Sequence, residues 1–250
     1  MEWISGGRTT KKRRMDMISA LPDSLISHIL SFLPTKTAVS TSLLSRRWRH
    51  LWQHLQHFDF NLQLEQDLDQ CDDDESFTRF TAFVSGVLAQ RRVRDIRKFR
   101  LLCSYTHKSS LHERSLSYWL LAAIGPQLQD LHLCLCEPDP DSCIILSPCY
   151  TVPRDIFTCS SLVSLSLDGL ISIHSISSVH LPSLKTLRLS IGGPIPMDMI
   201  FSGCPVLENL FLYFNTGNAP KIFVPSSLKR LTLNSCMASK AGKVEVELDA

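Results

Sequence analysis

The sequence contains no run of about 18 consecutive apolar residues, the length that a membrane-spanning helix needs, so we expect no membrane span. It has no G-x-S-x-G elbow, no glycine-rich phosphate loop and no H-E-x-x-H motif, and the enzyme classes built on those motifs are not indicated. The first residues lack the apolar core of a secretory signal, and no N-x-S/T sequon occurs. We therefore expect an intracellular protein of the nucleus or cytoplasm, with its nine cysteines reduced.

The chain also has no large excess of positive or of negative charge. The net charge is +2 over 250 residues, which is too small to favour a nucleic-acid-binding protein. The charges are nevertheless grouped, because residues 8–14 hold five bases and no acid, and residues 65–75 hold seven acids. Such blocks are usually solvated, so we expect a disordered basic N-terminus over residues 1–15 and an acidic linker over residues 61–75. The KKRR sequence at 11–14 is a candidate nuclear import signal.

Tryptophan is rare, with four residues in the chain, yet Trp48 and Trp52 both lie in LLSRRWRHLW at 43–52. Apolar spacing and proline boundaries predict three short helices, one in LPDSLISHILSFLP at 21–34, one over 35–44 and one over 45–55. Three helices of this size can form only a marginal core. We expect a partner, or the rest of the chain, to cover part of their apolar surface.

A frame of the form L-x-x-L-x-L recurs six times, starting at residues 96, 128, 162, 184, 207 and 228. The intervals are 32, 34, 22, 23 and 21 residues, and a period of about 20–29 residues indicates leucine-rich repeats. The frame leucines are expected to face one core, with their strands side by side in a curved parallel sheet. The Asn or Cys that follows the frame in such repeats is present only as Cys136, Asn215 and Cys236, so the repeats are irregular. Amphipathic helices are expected over 75–90 and 117–127.

Residues 18–52 closely resemble an F-box, from the Leu-Pro-Asp start at 21–23 to the ending LSRRWRHLW. The sequences LPSLKTLRL and CPVLENLFL resemble those of plant F-box/LRR-repeat proteins, and the resemblance covers nearly the whole chain. It implies an α+β fold, with an N-terminal three-helix F-box over residues 16–60. An irregular leucine-rich-repeat solenoid over residues 76–250 follows, a curved parallel sheet with helices and loops on its convex side.

The resemblance implies a non-catalytic adaptor that selects substrates for an SCF-type (Skp–cullin–F-box) ubiquitin ligase. The F-box would dock on a Skp-type adaptor protein and through it on a cullin, and the repeats would bind an unknown protein target for ubiquitination and degradation. No cofactor is implied. By motif position, the Skp-docking residues would be Leu21, Pro22, Leu25, Ile29, Leu30, Leu33, Pro34, Val39, Leu43, Leu44, Trp48, Leu51 and Trp52.

Many members of this plant group continue into a C-terminal FBD-type domain, which we expect to be absent here because the sequence stops at Ala250. An uncapped last repeat would expose its core edge. Two interpretations stay open: a truncated chain, or a final strand that serves as a cap. Truncation would favour the alternative function, a non-catalytic interaction scaffold with an unused F-box.

Target binding is expected on the residues that alternate with the frame leucines, because alternate residues of a strand face opposite sides of the sheet. Phe211 and Tyr213 are the aromatic residues on that concave side, and packing under a neighbouring loop is an equally good interpretation of them. The candidate target-binding residues are Arg100, His132, Asp168, Arg188, Phe211, Tyr213 and Arg230.

The sequence gives weaker support for a nucleic-acid, metal or catalytic site. A helix-turn-helix over 35–55 could place arginines on phosphates, but its third helix is dominated by apolar anchors, so no nucleic-acid partner is expected. The CLC sequence at 134–136, with Cys143 and Cys149 nearby, lacks the C-x(2–4)-C spacing of structural zinc, so no metal is expected. His174 lies among serines with no assignable acid or base partner, so no catalytic residue is expected.

Overall fold

The protein is described here by a computed structural model, and its fold is α+β. The described residues are 18, 20–62, 73–93, 95–104, 110–136, 150–173, 176–191, 195–215, 225–237 and 240–247. The basic N-terminus with its KKRR sequence, most of the acidic run, Cys143, Cys149 and His174 lie outside them. The α-helices are α1 (Asp23–Leu30), α2 (Thr35–Ser40), α3 (Asp73–Gln90), α4 (Ser110–Ala123) and α5 (Met197–Gly203).

The first helices begin at prolines. Pro22 precedes α1 and Pro34 precedes α2, each in an extended conformation, and a proline there costs no helical hydrogen bond. The expected helix over 35–44 is shorter than predicted, because α2 ends at Ser40 and a 3₁₀ turn, Thr41–Leu43, follows. The Ser40 and Thr41 hydroxyls donate to the carbonyls of Lys36 and Ala38, and such bonds compete with the backbone ladder.

The third expected helix differs in type, since residues Trp48–His54 form a 3₁₀ helix. In a 3₁₀ helix, residues three apart lie on the same side. Trp48 and Leu51 satisfy that spacing, and both are buried together with Trp52. The tryptophans therefore belong to the core of the N-terminal segment, residues 18–62.

The strands of the described residues form one eight-stranded sheet and one small pair. The order in the large sheet is β1-β2-β3-β5-β7-β8-β9-β10. Neighbours are parallel except β9 and β10, which are antiparallel. The strands are β1 (His57–Asn61), β2 (Lys98–Ser104), β3 (Asp130–Cys136), β4 (Tyr150–Thr151), β5 (Ser164–Gly169), β6 (Ile171–Ser172), β7 (Thr186–Ile191), β8 (Asn209–Asn215), β9 (Arg230–Met237) and β10 (Lys240–Glu247).

The six frames account for β2, β3, β5, β7, β8 and β9, and the predicted parallel pairing is confirmed. The last frame residues, Leu101, Leu133, Leu167, Leu189, Leu212 and Leu233, are in register across all six strands. Except for Leu233, each of these side chains is at most 1% exposed. The side of the sheet that carries these leucines is called the leucine face below, and the opposite side the polar face.

The N-terminal segment joins the sheet through β1. This strand pairs with β2 in parallel, and the Asp59 N–H donates to Thr35 Oγ1 of α2 over 2.8 Å. Ile26 and Leu30 of α1 belong to the same buried core as the sheet leucines. The limits assigned to the domains from sequence stay a prediction, and the apolar core is continuous across the join.

The amphipathic helix predicted over 75–90 is confirmed as α3, whereas the one predicted over 117–127 begins earlier and ends earlier, as α4 (Ser110–Ala123). In α3 the apolar residues at helical spacing are buried, among them Phe80 and Val84. In α4, Leu116, Trp119 and Leu120 are completely buried. Trp119 Nε1 donates to Ser85 Oγ over 3.0 Å and links the two helices.

Candidate docking surface and the polar face of the sheet

The N-terminal segment exposes much of its apolar surface. Helix α1 is apolar on two sides: Ile26 and Leu30 face the core, while Leu25 and Ile29 face outward. Outward-facing apolar residues continue beyond the helix, and so many exposed apolar side chains in one short segment are typical of a surface that a partner covers. The apolar patch defined by these exposed side chains consists of Ile18, Leu25, Ile29, Phe32, Leu43 and Leu44.

The side chain of Arg47 links the segment that follows Leu44 to the start of α1. Its Nε donates to Asp23 Oδ1 over 2.7 Å, and a second guanidinium nitrogen donates to the Leu21 carbonyl oxygen. These bonds attach the chain just after Leu44 to the first turn of α1. Leu43 and Leu44 are 88% and 71% exposed, so they project from a segment whose backbone is anchored.

The predicted Skp-docking residues divide into three groups by burial. The buried group cannot meet a partner without rearrangement of the core. Pro22, Leu25, Ile29, Leu43 and Leu44 are exposed, Leu21, Leu33, Pro34 and Val39 are half-buried, and Leu30, Trp48, Leu51 and Trp52 are buried.

Phe32 was missing from the predicted docking set, although it is 74% exposed. It follows Ile29 by three positions and Leu25 by seven, the spacing of one helix face. This spacing could have placed it beside them from sequence. His28 packs edge-on against the Phe32 ring, with 4.8 Å between the ring centroids.

Two open clefts flank the N-terminal segment. One, of about 470 Å³, lies between the 3₁₀ helix Trp48–His54 and α3, with Trp52, Phe83 and Val87 in its lining. Gln53 also borders it, and its Oε1 is buried without a hydrogen-bond partner. The other, of about 300 Å³, lies between the end of α1 and strands β1 to β3.

His57 lies in the second cleft, and burial is the main cause that lowers its pKa below the ordinary value of 6.5. The positive charges of Lys98 and, more weakly, Arg97 lower this pKa further. A hydrogen bond with the Ser31 backbone and the charge of Asp130 act in the opposite direction. The neutral imidazole is therefore favoured where the chain leaves α1 and meets the sheet.

The polar face carries ion pairs between neighbouring strands. Arg100 Nη1 lies 3.5 Å from Asp59 Oδ2, which joins β2 to β1. His132 Nε2 lies 3.3 Å from Asp168 Oδ2, a contact between β3 and β5 that is an ion pair only when the imidazole is protonated. The same carboxylate oxygen accepts a hydrogen bond from Ser166 Oγ over 3.0 Å. These pairs are partly exposed, so each contributes at most about 1 kcal/mol to stability.

An arginine–aromatic contact replaces the ion pair further along the polar face. The Arg188 guanidinium carbon lies 4.3 Å from the centre of the Phe211 ring on the next strand. Phe211 is half-buried beneath it, whereas Tyr213 is 40% exposed. A cavity of about 200 Å³ opens beside these residues and is also bordered by Asn234.

All the predicted target-binding residues lie on the polar face, and the register spreads them over six strands. Arg100, His132, Arg188 and Phe211 occupy equivalent positions of their strands. They therefore form a row across the sheet rather than a single cluster. The cavity beside Arg188 brings together four of them, namely Asp168, Arg188, Phe211 and Tyr213.

No helix among the described residues is long and apolar enough to cross a membrane. Within the same part of the chain, no three His, Cys, Asp or Glu side chains are grouped as metal ligands would be.

Comparison with known proteins finds a matching family model for each of two parts of the chain. A family model described as F-box domain matches residues 18–59. A model described as FBD-associated F-box protein At5g56370, LRR repeats, matches residues 116–248, which is more than half of the chain.

The chain is also similar to curated proteins of Arabidopsis thaliana. It is 33% identical to FBD-associated F-box protein At4g10400 over 88% of this chain and 51% of that protein. It is 35% identical to F-box/LRR-repeat protein At3g59200, over 86% of this chain and 40% of the relative. It is 33% identical to F-box protein At4g09920, over 88% of this chain and 66% of that protein. The chain thus spans about half the length of the relatives that it matches. On these matches and on the register of its six leucine strands, the chain belongs to the F-box/LRR-repeat protein family.

Proposed function

We propose that this chain is the substrate-recognition adaptor of an SCF-type ubiquitin ligase. Its F-box docks on a Skp-type subunit, which connects it to a cullin. Its leucine-rich repeats bind a protein target for ubiquitination. The chain itself contributes binding surfaces and no catalytic group, and it acts in the nucleus, the cytoplasm or both.

The apolar patch is the observation that carries this proposal. Leu43 and Leu44 are the first and third most exposed of the large apolar residues described, with Phe32 between them. Leaving such side chains in water forfeits roughly 1.5–3 kcal/mol for each one that a partner could bury. A surface that concentrates them on one short segment is suited to a stable protein partner.

The N-terminal segment and the sheet are also suited to different binding functions. We propose that the N-terminal segment is a three-helix F-box, with α1, α2 and the 3₁₀ helix Trp48–His54 as its helices. We propose further that the parallel strands form a repeat solenoid. The leucine register gives every repeat the same core positions, so the polar face is free to vary without loss of stability.

The test is binding of the purified chain to a Skp-type protein of Arabidopsis thaliana. In the docking variant, Leu43→Ala and Leu44→Ala are combined. We expect at least a ten-fold loss of affinity, because exposed anchors of an interface contribute more than about 1 kcal/mol each. The melting temperature should not change, since both side chains are exposed.

The matched control combines Leu121→Ala with Val206→Ala, which removes two other exposed apolar side chains. It should bind like the unmodified chain. Equal affinity of the docking variant and the control would contradict the docking assignment. If the unmodified chain binds no Skp-type protein and yet retains a target, the interaction scaffold with an unused F-box is the correct function.

A further inference from the structure

Arg188 differs from Lys98 and Arg100, two other cations of the polar face, in the kind of group that it contacts. Ion pairs engage Lys98 with Asp130 and Arg100 with Asp59. Arg188, in contrast, is exposed and has no carboxylate within 4 Å among the described residues. Its partner is the Phe211 ring, 4.3 Å from the guanidinium carbon. A ring of this kind orients the guanidinium and leaves its charge without a counter-ion.

Asp168, an acid on the strand next to Arg188, contacts other residues instead of the arginine. Asp168 lies on β5, next to β7, and is in register with Ser190. Its Oδ2 accepts from Ser166 Oγ at 3.0 Å and lies 3.3 Å from His132 Nε2. Both partners contact the same oxygen of Asp168. Asp168 thus borders the cavity without forming an ion pair with Arg188.

The cavity beside Arg188 has the size of one side chain. Its volume is about 200 Å³, below the roughly 300–1,000 Å³ of sites for drug-sized ligands. Tyr213 forms part of its wall and is 40% exposed. Asn234 also borders it, and its buried Oδ1 accepts no hydrogen bond from any described residue. The cavity therefore offers a cation on one side and an unused acceptor on another.

These groups define the ligand. A guanidinium edge fits a planar carboxylate through two parallel hydrogen bonds. A backbone N–H next to that carboxylate in a peptide would supply the donor that Asn234 lacks. A phosphate group is a poorer fit, because phosphorylated segments are usually held by clusters of arginines. Here one unpaired arginine lies beside the carboxylate of Asp168.

We propose that the cavity lined by Arg188, Phe211, Tyr213 and Asn234 is a specificity subsite that takes a glutamate or aspartate side chain of the target. The inference rests on the proposed adaptor function, because it names the chemistry of the target that the repeats hold. Arg188 is the residue that selects for the acidic side chain.

The test uses arrays of synthetic peptides with randomised flanks and one fixed central residue, which is Glu, Gln, Lys or phosphoserine. The purified full chain should bind the Glu set about ten-fold better than the Gln set, the size of one charge-assisted hydrogen-bond pair. Arg188→Gln should abolish this preference. The matched control is Lys98→Gln, which removes a cation of the same face already paired with Asp130, and it should keep the preference.

Three outcomes would overturn the subsite: no preference for Glu over Gln, a preference that survives Arg188→Gln, or phosphoserine peptides that bind more than ten-fold tighter than Glu peptides. Binding of the Skp-type protein is measured on the same Arg188→Gln sample and should not change. If Skp binding fails while the Glu preference is present, the adaptor function is wrong and the subsite stands. If Skp binding holds without any Glu preference, only the subsite is wrong.

Discussion

Arg47 Nε donates to Asp23 Oδ1 over 2.7 Å, and this bond joins the chain after Leu44 to the first turn of α1. The two residues are 24 positions apart in the sequence. Both side chains are substantially exposed, 38% for Arg47 and 62% for Asp23. The contact therefore has more effect on the placement of the exposed leucines than on global stability.

We predict that Arg47→Gln lowers the free energy of unfolding by less than about 1 kcal/mol, because exposed pairs contribute little. Its affinity for a Skp-type protein should fall about ten-fold, since Leu43 and Leu44 lose their anchor; ten-fold corresponds to about 1.4 kcal/mol. The control is Arg79→Gln, which breaks the exposed pair with Glu75 in α3. Urea denaturation and a binding titration measure both effects, and parallel behaviour of the two variants would refute the anchoring role.

Trp48→Ala should destabilise the fold by about 3–5 kcal/mol, as for other large buried aromatics. Trp48 is 8% exposed and lies in the core of the N-terminal segment. Arg49→Ala, at the exposed neighbouring position, should change stability by no more than about 0.5 kcal/mol. Denaturation curves distinguish the two, and an unchanged midpoint for Trp48→Ala would show that this tryptophan is not a core residue.

Gly169→Ala should be strongly destabilising. Gly169 has φ 90°, and an added Cβ would lie 2.0 Å from the Leu135 carbonyl oxygen. Because the obstacle is backbone of the adjacent strand, we expect a loss of at least about 2 kcal/mol. Gly125→Ala meets nothing within 4 Å and should leave stability unchanged or raise it by up to about 1 kcal/mol. Similar melting temperatures for both variants would contradict the close approach of β5 to β3.

Acidification should weaken the fold through His57. Burial and the charge of Lys98 hold its pKa below 6.5 in the folded chain. The unfolded chain then binds more protons just below pH 6.5, so stability is complete above that pH and falls as the pH drops. His57→Gln should reduce the loss of unfolding free energy between pH 7.5 and 5.5, whereas the exposed His54→Gln should not. A pH dependence that is the same in both variants would exclude His57 as its source.

The repeats could be read from sequence because their signal is local. Alternating leucines at a fixed period identify a strand and its buried side without knowledge of its neighbours. Leu133 and Leu167 are separated by 34 residues, yet they are in register. Both frames place their last leucine at the same distance from the strand start. The helices at Phe80 and Leu116 were predictable for the same reason.

The docking set was only partly predictable. Position in the motif groups Trp48 with Leu44, but Trp48 is buried and Leu44 is exposed. A periodic pattern says which residues share a side of a helix and does not say whether a helix has one covered side or two. Helix α1 has two apolar sides, and only its packing in the tertiary structure, where it contacts the 3₁₀ helix Trp48–His54, decides that Ile26 is covered and Leu25 is not.

The sequence by itself determined the F-box segment through its resemblance to a known family, and the six leucine strands and their shared core through apolar spacing along a short stretch. Only the tertiary structure decided that β1 joins the sheet, that the exposed leucines rather than the tryptophans form the apolar patch, and that Arg188 lies on Phe211 with no carboxylate of the described residues within 4 Å. Each of these depends on which residues distant in the chain become neighbours. Spacing along one strand carries no information about that.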